Sequence, residues 1–127
     1  KETLKKLGHR VKIYSDHEYT NFLKTLEIIP TLSNLEVLHI NLQVEKPKEV
    51  IVEDLSDAIL EMISGCSSLK ELSLKIEGVD IPEYFLKKIK EVAKFQTGLL
   101  DVSFTYVFKA KNISIQKLPF GFFESSI

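Results

Sequence analysis

The sequence predicts an α/β fold in which parallel strands alternate with helices, helices pack one face of the sheet and the other face stays open. That is the cross-section of a short solenoid with strands on its concave side and helices on its convex side. Three observations predict it. A Leu-x-x-Leu-x-Leu-x-Leu skeleton recurs along the chain, segments of helical period separate the copies, and the strands alternate apolar with polar residues.

The skeleton is clearest at Leu35, Leu38, Ile40 and Leu42 and returns 34 residues later at Leu69, Leu72, Leu74 and Ile76. A third copy follows after 30 more residues, at Leu99, Val102, Phe104 and Tyr106. A weaker first copy is read at Val11-Lys12-Ile13, about 27 residues before Leu38-His39-Ile40. In the first helical segment Ser15 with Glu18 forms a capping box, and Tyr19, Phe22, Leu23, Leu26 and Ile29 make an apolar stripe. In the second the stripe is Val52, Leu55, Ile59, Met62 and Ile63, and Gly65 stands where a left-handed cap would end the helix. In the third Asp80 with Glu83 reads as another capping box, Pro82 falls in the first turn, and Phe85, Ile89 and Val92 form the buried stripe.

Strand–helix alternation also fits a three-layer, doubly wound sheet, which buries both faces and has near-continuous apolar strands. Here Leu38, Ile40 and Leu42 point opposite to Val37, His39 and Asn41. Leu72, Leu74 and Ile76 likewise oppose Glu71, Ser73 and Lys75, and Val102, Phe104 and Tyr106 oppose Asp101, Ser103 and Thr105. Alternation favours the one-sided arrangement.

These residues resemble leucine-rich repeats of the ribonuclease-inhibitor-like, strand–helix type. The phrase running from Cys66 to Leu74 is similar to the start of a repeat in F-box or nucleotide-binding receptor proteins. The resemblance covers roughly residues 10–108 and is divergent. Where the family places Asn or Cys after the strand, this chain has Gln43, Glu77 and Val107, and its repeat lengths vary. It implies substrate-receptor or sensor work inside a larger polypeptide or complex, with further repeats or domains in the same chain.

The whole of residues 1–127 is expected to form a single domain. Phe104 to Lys109 and Asn112 to Gln116 read as a hairpin, followed by an aromatic cluster from Leu118 to Phe123. Residues 109–127 are accordingly expected to cap the last repeat, since solenoid ends need covering, with docking into a partner as the alternative.

Composition narrows the function classes. Seventeen Lys and Arg face eighteen Asp and Glu in 127 residues, so the usual electrostatic footprint of a nucleic-acid binder is missing. No apolar stretch approaches the ~20 residues of a membrane span. The chain opens with Lys1, not Met, so the lack of a visible signal peptide carries no weight, and the sequence reads as a piece of a larger one. A single cysteine, Cys66, allows no intrachain disulfide, and a reducing, cytoplasmic setting is expected.

No catalytic, metal or cofactor constellation stands out. His9, His17 and His39 have no zinc-ligand spacing, Cys66 has no evident base, and the five glycines are scattered. Glu49, Glu53, Asp54, Asp57 and Glu61 read as a solvated acidic face of the second helix, and Lys87, Lys88, Lys90 and Lys94 as a basic face of the third. The expectation is therefore a non-enzyme without cofactors that binds a protein of unknown identity through its polar strand face. Its binding residues are Tyr14, with Lys12 beside it, Val37, His39, Asn41, Glu71, Ser73, Lys75, Asp101, Ser103 and Thr105. The alternative is a structural subunit of a multiprotein assembly, docked through its helices and aromatic tail.

Overall fold

Alternation of period two leaves every second side chain on one face, and in the structure the buried ones share one cluster with apolar residues of the helices. The computed structural model describes residues 4–45, 52–96, 98–109, 111–117 and 123–126. Its elements are β1 (Lys6–Ile13), α1 (Asp16–Ile28) with a 3-10 turn (Ile29–Thr31), β2 (Val37–Val44), α2 (Val52–Gly65), β3 (Glu71–Glu77), α3 (Glu83–Phe95), β4 (Asp101–Phe108), β5 (Lys111–Lys117) and β6 (Phe123–Ser126). They make one six-stranded sheet in chain order. β1 to β4 are parallel, and β5 and β6 are antiparallel additions at the β4 side.

The register puts like residues beside like. Leu38, Leu72 and Val102 form one row, Ile40, Leu74 and Phe104 a second, and Leu42, Ile76 and Tyr106 a third. All nine are buried, in one cluster with Phe22, Leu26, Leu55, Ile59, Met62, Phe85 and Ile89 from the helices. Each such side chain contributes about 1.5–3 kcal/mol of transfer free energy relative to exposure. Phe85 meets Phe104 edge-on, ring centroids 5.6 Å apart, the arrangement that the ring quadrupoles favour.

The approach to each strand is built the same way. Leu35, Leu69 and Leu99 are buried, and their N–H groups donate to the carbonyls of Leu32, Cys66 and Gln96, three residues back. The next two N–H groups then share one carbonyl of the preceding unit. Glu36 and Val37 donate to Lys5, Lys70 and Glu71 to Glu36, and Leu100 and Asp101 to Lys70. The same hydrogen-bonding solution at three successive positions fixes each register before the strand begins.

Local chemistry sets the element boundaries, and several positions differ from the sequence reading. Ser15 caps α1 as expected, its Oγ accepting from the Glu18 N–H at 3.3 Å. Glu18 reaches back to the Tyr14 N–H at 2.9 Å and accepts from the Ser15 hydroxyl at 3.2 Å. The first difference is at Asp80, which does not cap α3: Pro82 occupies that position with no side-chain bond. Asp80 instead accepts from the Tyr106 hydroxyl at 2.8 Å, and that hydroxyl accepts from the Ile81 N–H at 2.9 Å. A buried phenol therefore has its polar end satisfied. Ala93, not Val92, completes the buried stripe of α3, with Val92 half-buried.

The second difference concerns glycine. Gly65 is the last residue of α2 and is not left-handed; a Cβ there would stand 3.0 Å from the Pro30 Cβ, so its smallness admits the turn after α1. The left-handed glycine is Gly78, at φ 88°, just past β3. Its N–H donates to the Val107 carbonyl at 3.0 Å, and a Cβ would collide with the Val44 carbonyl oxygen. Only glycine meets both demands.

The third difference is in β1. Leu7, not Val11, pairs with Leu38, an offset of 31 residues where the sequence suggested 27. The displacement of four preserves parity, so Lys12 stays on the open face but moves two rows along. Beyond β4 the expected hairpin forms: Phe108 pairs with Lys111, and Lys109, at φ 54°, takes the left-handed conformation that tight hairpin turns need. The aromatic cluster from Leu118 to Phe123 lies outside the described side chains.

Candidate functional site

The open face is built from the residues between the buried ones, and register orders them into rows. Lys6, Val37, Glu71 and Asp101 line up across β1 to β4. Gly8, His39, Ser73, Ser103 and Gln116 make the next row, and Arg10, Asn41, Lys75, Thr105 and Ser114 the one after. Lys12, Gln43, Glu77, Val107 and Asn112 complete the grid. Neighbours within a row stand about 4.8 Å apart, a spacing set by the hydrogen bonds of the sheet and not by the side chains.

Several of these side chains bond to one another across strands. His39 Nε2 and Glu71 Oε2 lie 2.6 Å apart, both more than a third exposed. Gln43 Nε2 donates to Glu77 Oε2 at 2.8 Å, and along β3 itself Lys75 Nζ lies 3.0 Å from Glu77 Oε1. The bond from Lys75, then the one from Gln43, holds the Glu77 carboxyl below its usual range. Cations occupy β1 at Lys6, Arg10 and Lys12, and carboxylates occupy β3 and β4 at Glu71, Glu77 and Asp101, with Lys75 of β3 among them.

Between β1 and β3 the face dips. A depression of about 390 Å³ is lined by Gly8, Arg10, His39, Asn41, Ser73 and Lys75, and opens because Gly8 has no side chain. At its floor the Asn41 Oδ1 is buried and has no hydrogen-bond partner among the described residues. Such a group costs about 1–3 kcal/mol unless something bonds to it. With Arg10 and Lys75 on either side of Asn41 and the Ser73 hydroxyl beside it, the depression can take a polar group with both a donor and negative charge.

All of the residues expected on this face are there except Tyr14. It follows the last residue of β1, is 52% exposed, and belongs to the turn into α1, where its N–H is taken by Glu18. Gly8, Arg10, Gln43 and Glu77 belong to the face and were not anticipated. The signal was present: from Lys6 to Ile13 charged or small residues alternate with Leu7, His9, Val11 and Ile13.

The helix side offers less. A groove of about 320 Å³ lies between α1 and α2, lined by Leu23, Leu26, Pro30, Ala58 and Met62 among others. Phe95 and Ile28, at the C-terminal ends of α3 and α1, are 78% and 60% exposed. Asp54, Asp57 and Glu61 of α2 and Lys87, Lys88 and Lys94 of α3 are exposed, as expected of solvated faces, whereas Lys90 is half-buried and the side chains of Glu49 and Glu53 lie outside the described residues. Cys66 is buried, and burial pushes its thiol up to about 11, away from the thiolate a nucleophile needs. Among the described residues no three His, Cys, Asp or Glu side chains gather at a metal-sized site, and no helix is long and apolar enough to cross a membrane.

No protein-family model matches the chain, and neither a curated protein nor a solved structure matches it.

Proposed function

We propose that this chain is a non-catalytic protein-recognition module, a divergent leucine-rich-repeat-like piece of solenoid that binds a protein partner through its open strand face. The observation that carries the reading is the register. It places Val37, His39, Asn41, Glu71, Ser73, Lys75, Asp101, Ser103 and Thr105 on a common grid backed by the helices and the packed core. A surface held this way loses little conformational freedom on binding, which is where affinity is usually forfeited. Its mixture of small, polar and charged groups suits a specific and wet interface. The recurring approach to β2, β3 and β4 supports the repeat reading, and the lone buried Cys66 fits a reducing, cytoplasmic setting.

A second reading has its own observation. Exposed Phe95 and Ile28 at the helix ends favour a structural subunit docked through its helices. Site-specific photocrosslinking separates the two. With the probe at Ser73 or Ser103 a partner adduct is expected, and it should vanish when His39→Ala, Asn41→Ala and Lys75→Ala are combined in a chain whose circular dichroism is unchanged. Adducts confined to a probe at Phe95 or Lys88 would abandon the open face for the helix side.

A further inference from the structure

The groove on the helix side has both of its walls inside the chain, on two helices that pack against each other. α2 packs on α1, and on its other side on α3. The α1 wall presents Leu23, Glu27 and, in the turn that follows, Pro30, and the α2 wall presents Ala58, Glu61 and Gly65. Each wall spans two helical turns, so the groove runs along the helices for about 10 Å. Leu26 and Met62, both buried, form its floor, and Leu23 and Ala58 are half-buried at its sides. Its far end is closed where Pro30 meets Gly65, at which a Cβ would stand 3.0 Å from the Pro30 Cβ. The small side chain of Ala58 leaves the rest open. In a solenoid a preceding strand–helix unit would stack its helix on the far side of α1, so the groove belongs to this helix pair in a longer chain as well.

The charge on its rim has one sign. Glu27 and Glu61 are exposed, and neither has a cation within salt-bridge distance among the described residues. α1 and α2 both end here without a basic residue in the last turn, whereas α3 has Lys94 in its last turn. The negative ends of two helix dipoles therefore add to the two carboxylates. Two lysines flank the rim without pairing with it. Lys24 stands one turn before Glu27, and Lys88 of α3 lies with Asp57, Glu61 and Glu91 in the hollow on the other side of α2. An apolar floor is thus bordered by negative potential on both walls.

We propose that the groove between α1 and α2 docks an amphipathic helix of a partner protein that presents apolar residues one turn apart with lysine or arginine on either side. The spacing argues for a helix: the walls repeat every three or four residues, which is the period at which another helix presents its own ridge. The apolar residues of that helix lie over Leu26 and Met62, between Leu23 and Ala58. Its flanking cations lay their aliphatic stems along the sides of the groove and reach Glu27 and Glu61 with their charged heads. The apolar floor supplies attraction without much discrimination, and the two carboxylates select, since an acidic helix would meet like charge on both walls. The inference goes beyond the open-face reading, concerns another surface and does not depend on it.

The test uses the full chain and a blocked, alanine-based helical peptide with leucines one turn apart and lysines on either side, against a counterpart in which glutamate replaces lysine. In an amide NMR titration the lysine peptide is expected to shift Leu23, Glu27, Ala58 and Glu61, and the glutamate peptide to leave them in place. Glu27→Lys/Glu61→Lys changes two exposed side chains, so circular dichroism and melting should hold. Binding of the lysine peptide should weaken about tenfold or more in that variant. The reversed pair should also gain affinity for the glutamate peptide, which a misfolded chain would not. Ala58→Phe fills the groove and should abolish binding of the lysine peptide while the chain still melts cooperatively. No binding of the lysine peptide, equal binding of both peptides, undiminished binding by the two variants, or shifts confined to β2–β4 would overturn the proposal. Sedimentation showing self-association that Ala58→Phe abolishes would overturn it in favour of a second copy, docked through the lysines of its α3. The His39→Ala/Asn41→Ala/Lys75→Ala chain should bind the lysine peptide unchanged, so failure of the open-face reading and failure of this one give different results.

Discussion

Ser103 and Phe104 are neighbours in the chain, yet they belong to surfaces with opposite physics. Phe104 points into the helix layer, fully buried, and meets Phe85 and the leucine rows. Ser103 points the other way, into a row on the open face with Gly8, His39 and Ser73. On the first face energy comes from excluded water and close packing, so identity and volume matter at every position. On the second the backbone already holds the geometry, so side chains are left to chemistry. The lesson is that the sheet separates stability from recognition residue by residue.

The largest break in this contrast is Phe104→Ala. Removing a fully buried ring among packed neighbours should cost about 3–5 kcal/mol, read by equilibrium denaturation in urea. Leu72→Ala should follow at about 2–5 kcal/mol, by the same cavity mechanism at a smaller volume. A loss below about 1 kcal/mol at both sites would mean the packed face is wrongly assigned.

Tyr106 sharpens the comparison because it is a polar group on the packed face. Burial, with the bond to Asp80, pushes its hydroxyl up to about 12, and burial pushes Cys66 up to about 11. Burial also raises Tyr19, with help from the Asp54 charge. Each of these groups holds its proton more tightly folded than unfolded. Their contributions are thus fully present well below pH 9.0, where the unfolded thiol is half ionised, and are lost as pH rises through 11 and 12. Stability measured against pH should fall across that window, by an amount on the order of 2 kcal/mol for the phenol of Tyr106. Tyr106→Phe should lose about 1–2 kcal/mol at pH 7, since Asp80 and the Ile81 N–H give up a partner, and should flatten the upper part of the alkaline fall.

On the open face the expected effects are small. His39→Ala removes an exposed contact with Glu71 and should change stability by less than about 1 kcal/mol. Ser73→Ala should stay within about 0.5 kcal/mol. If either approached the Phe104→Ala loss, the separation of stability from recognition would collapse.

Much of this was legible because period two is a strong signal when both partners of a strand are present. The alternation from Val37 to Gln43, Glu71 to Glu77 and Asp101 to Val107 revealed both faces and the register of three strands. β1 was placed four residues off because its packed side holds His9 among Leu7 and Val11, so the apolar pattern is weak where the strand is only half covered. Tyr14 was drawn in by the same shift. Caps and glycines were harder for a different reason: they depend on dihedrals and on what lies opposite. Ser15 and Asp80 both precede a glutamate by three residues, but only Ser15 sits at a helix start. Asp80 is claimed by Tyr106, 26 residues away in sequence. Gly65 and Gly78 are both crowded, by Pro30 and by Val44, and only Gly78, at φ 88°, is left-handed. The depression at Asn41 was invisible, since it arises from Gly8 two strand positions before Arg10 and one strand away.

The reversal of direction at Lys109 has a consequence in time. Parallel pairs join residues far apart in the chain, 31 for Lys6 with Val37, 34 for Val37 with Glu71 and 30 for Glu71 with Asp101. The hairpin joins Phe108 to Lys111, only three apart, and widens outward from there. Closing a short loop costs less entropy than closing a long one, and parallel pairing is intrinsically slow. The β4–β5 hairpin is thus the natural first structure, a template onto which β3, then β2, then β1 are laid. Pulse-labelled hydrogen exchange during refolding should find the β4–β5 amides protected before those of β1. Synthesis delivers the strands in the opposite order, so the hairpin, the pairing that costs least to close, is made after the parallel strands it would template.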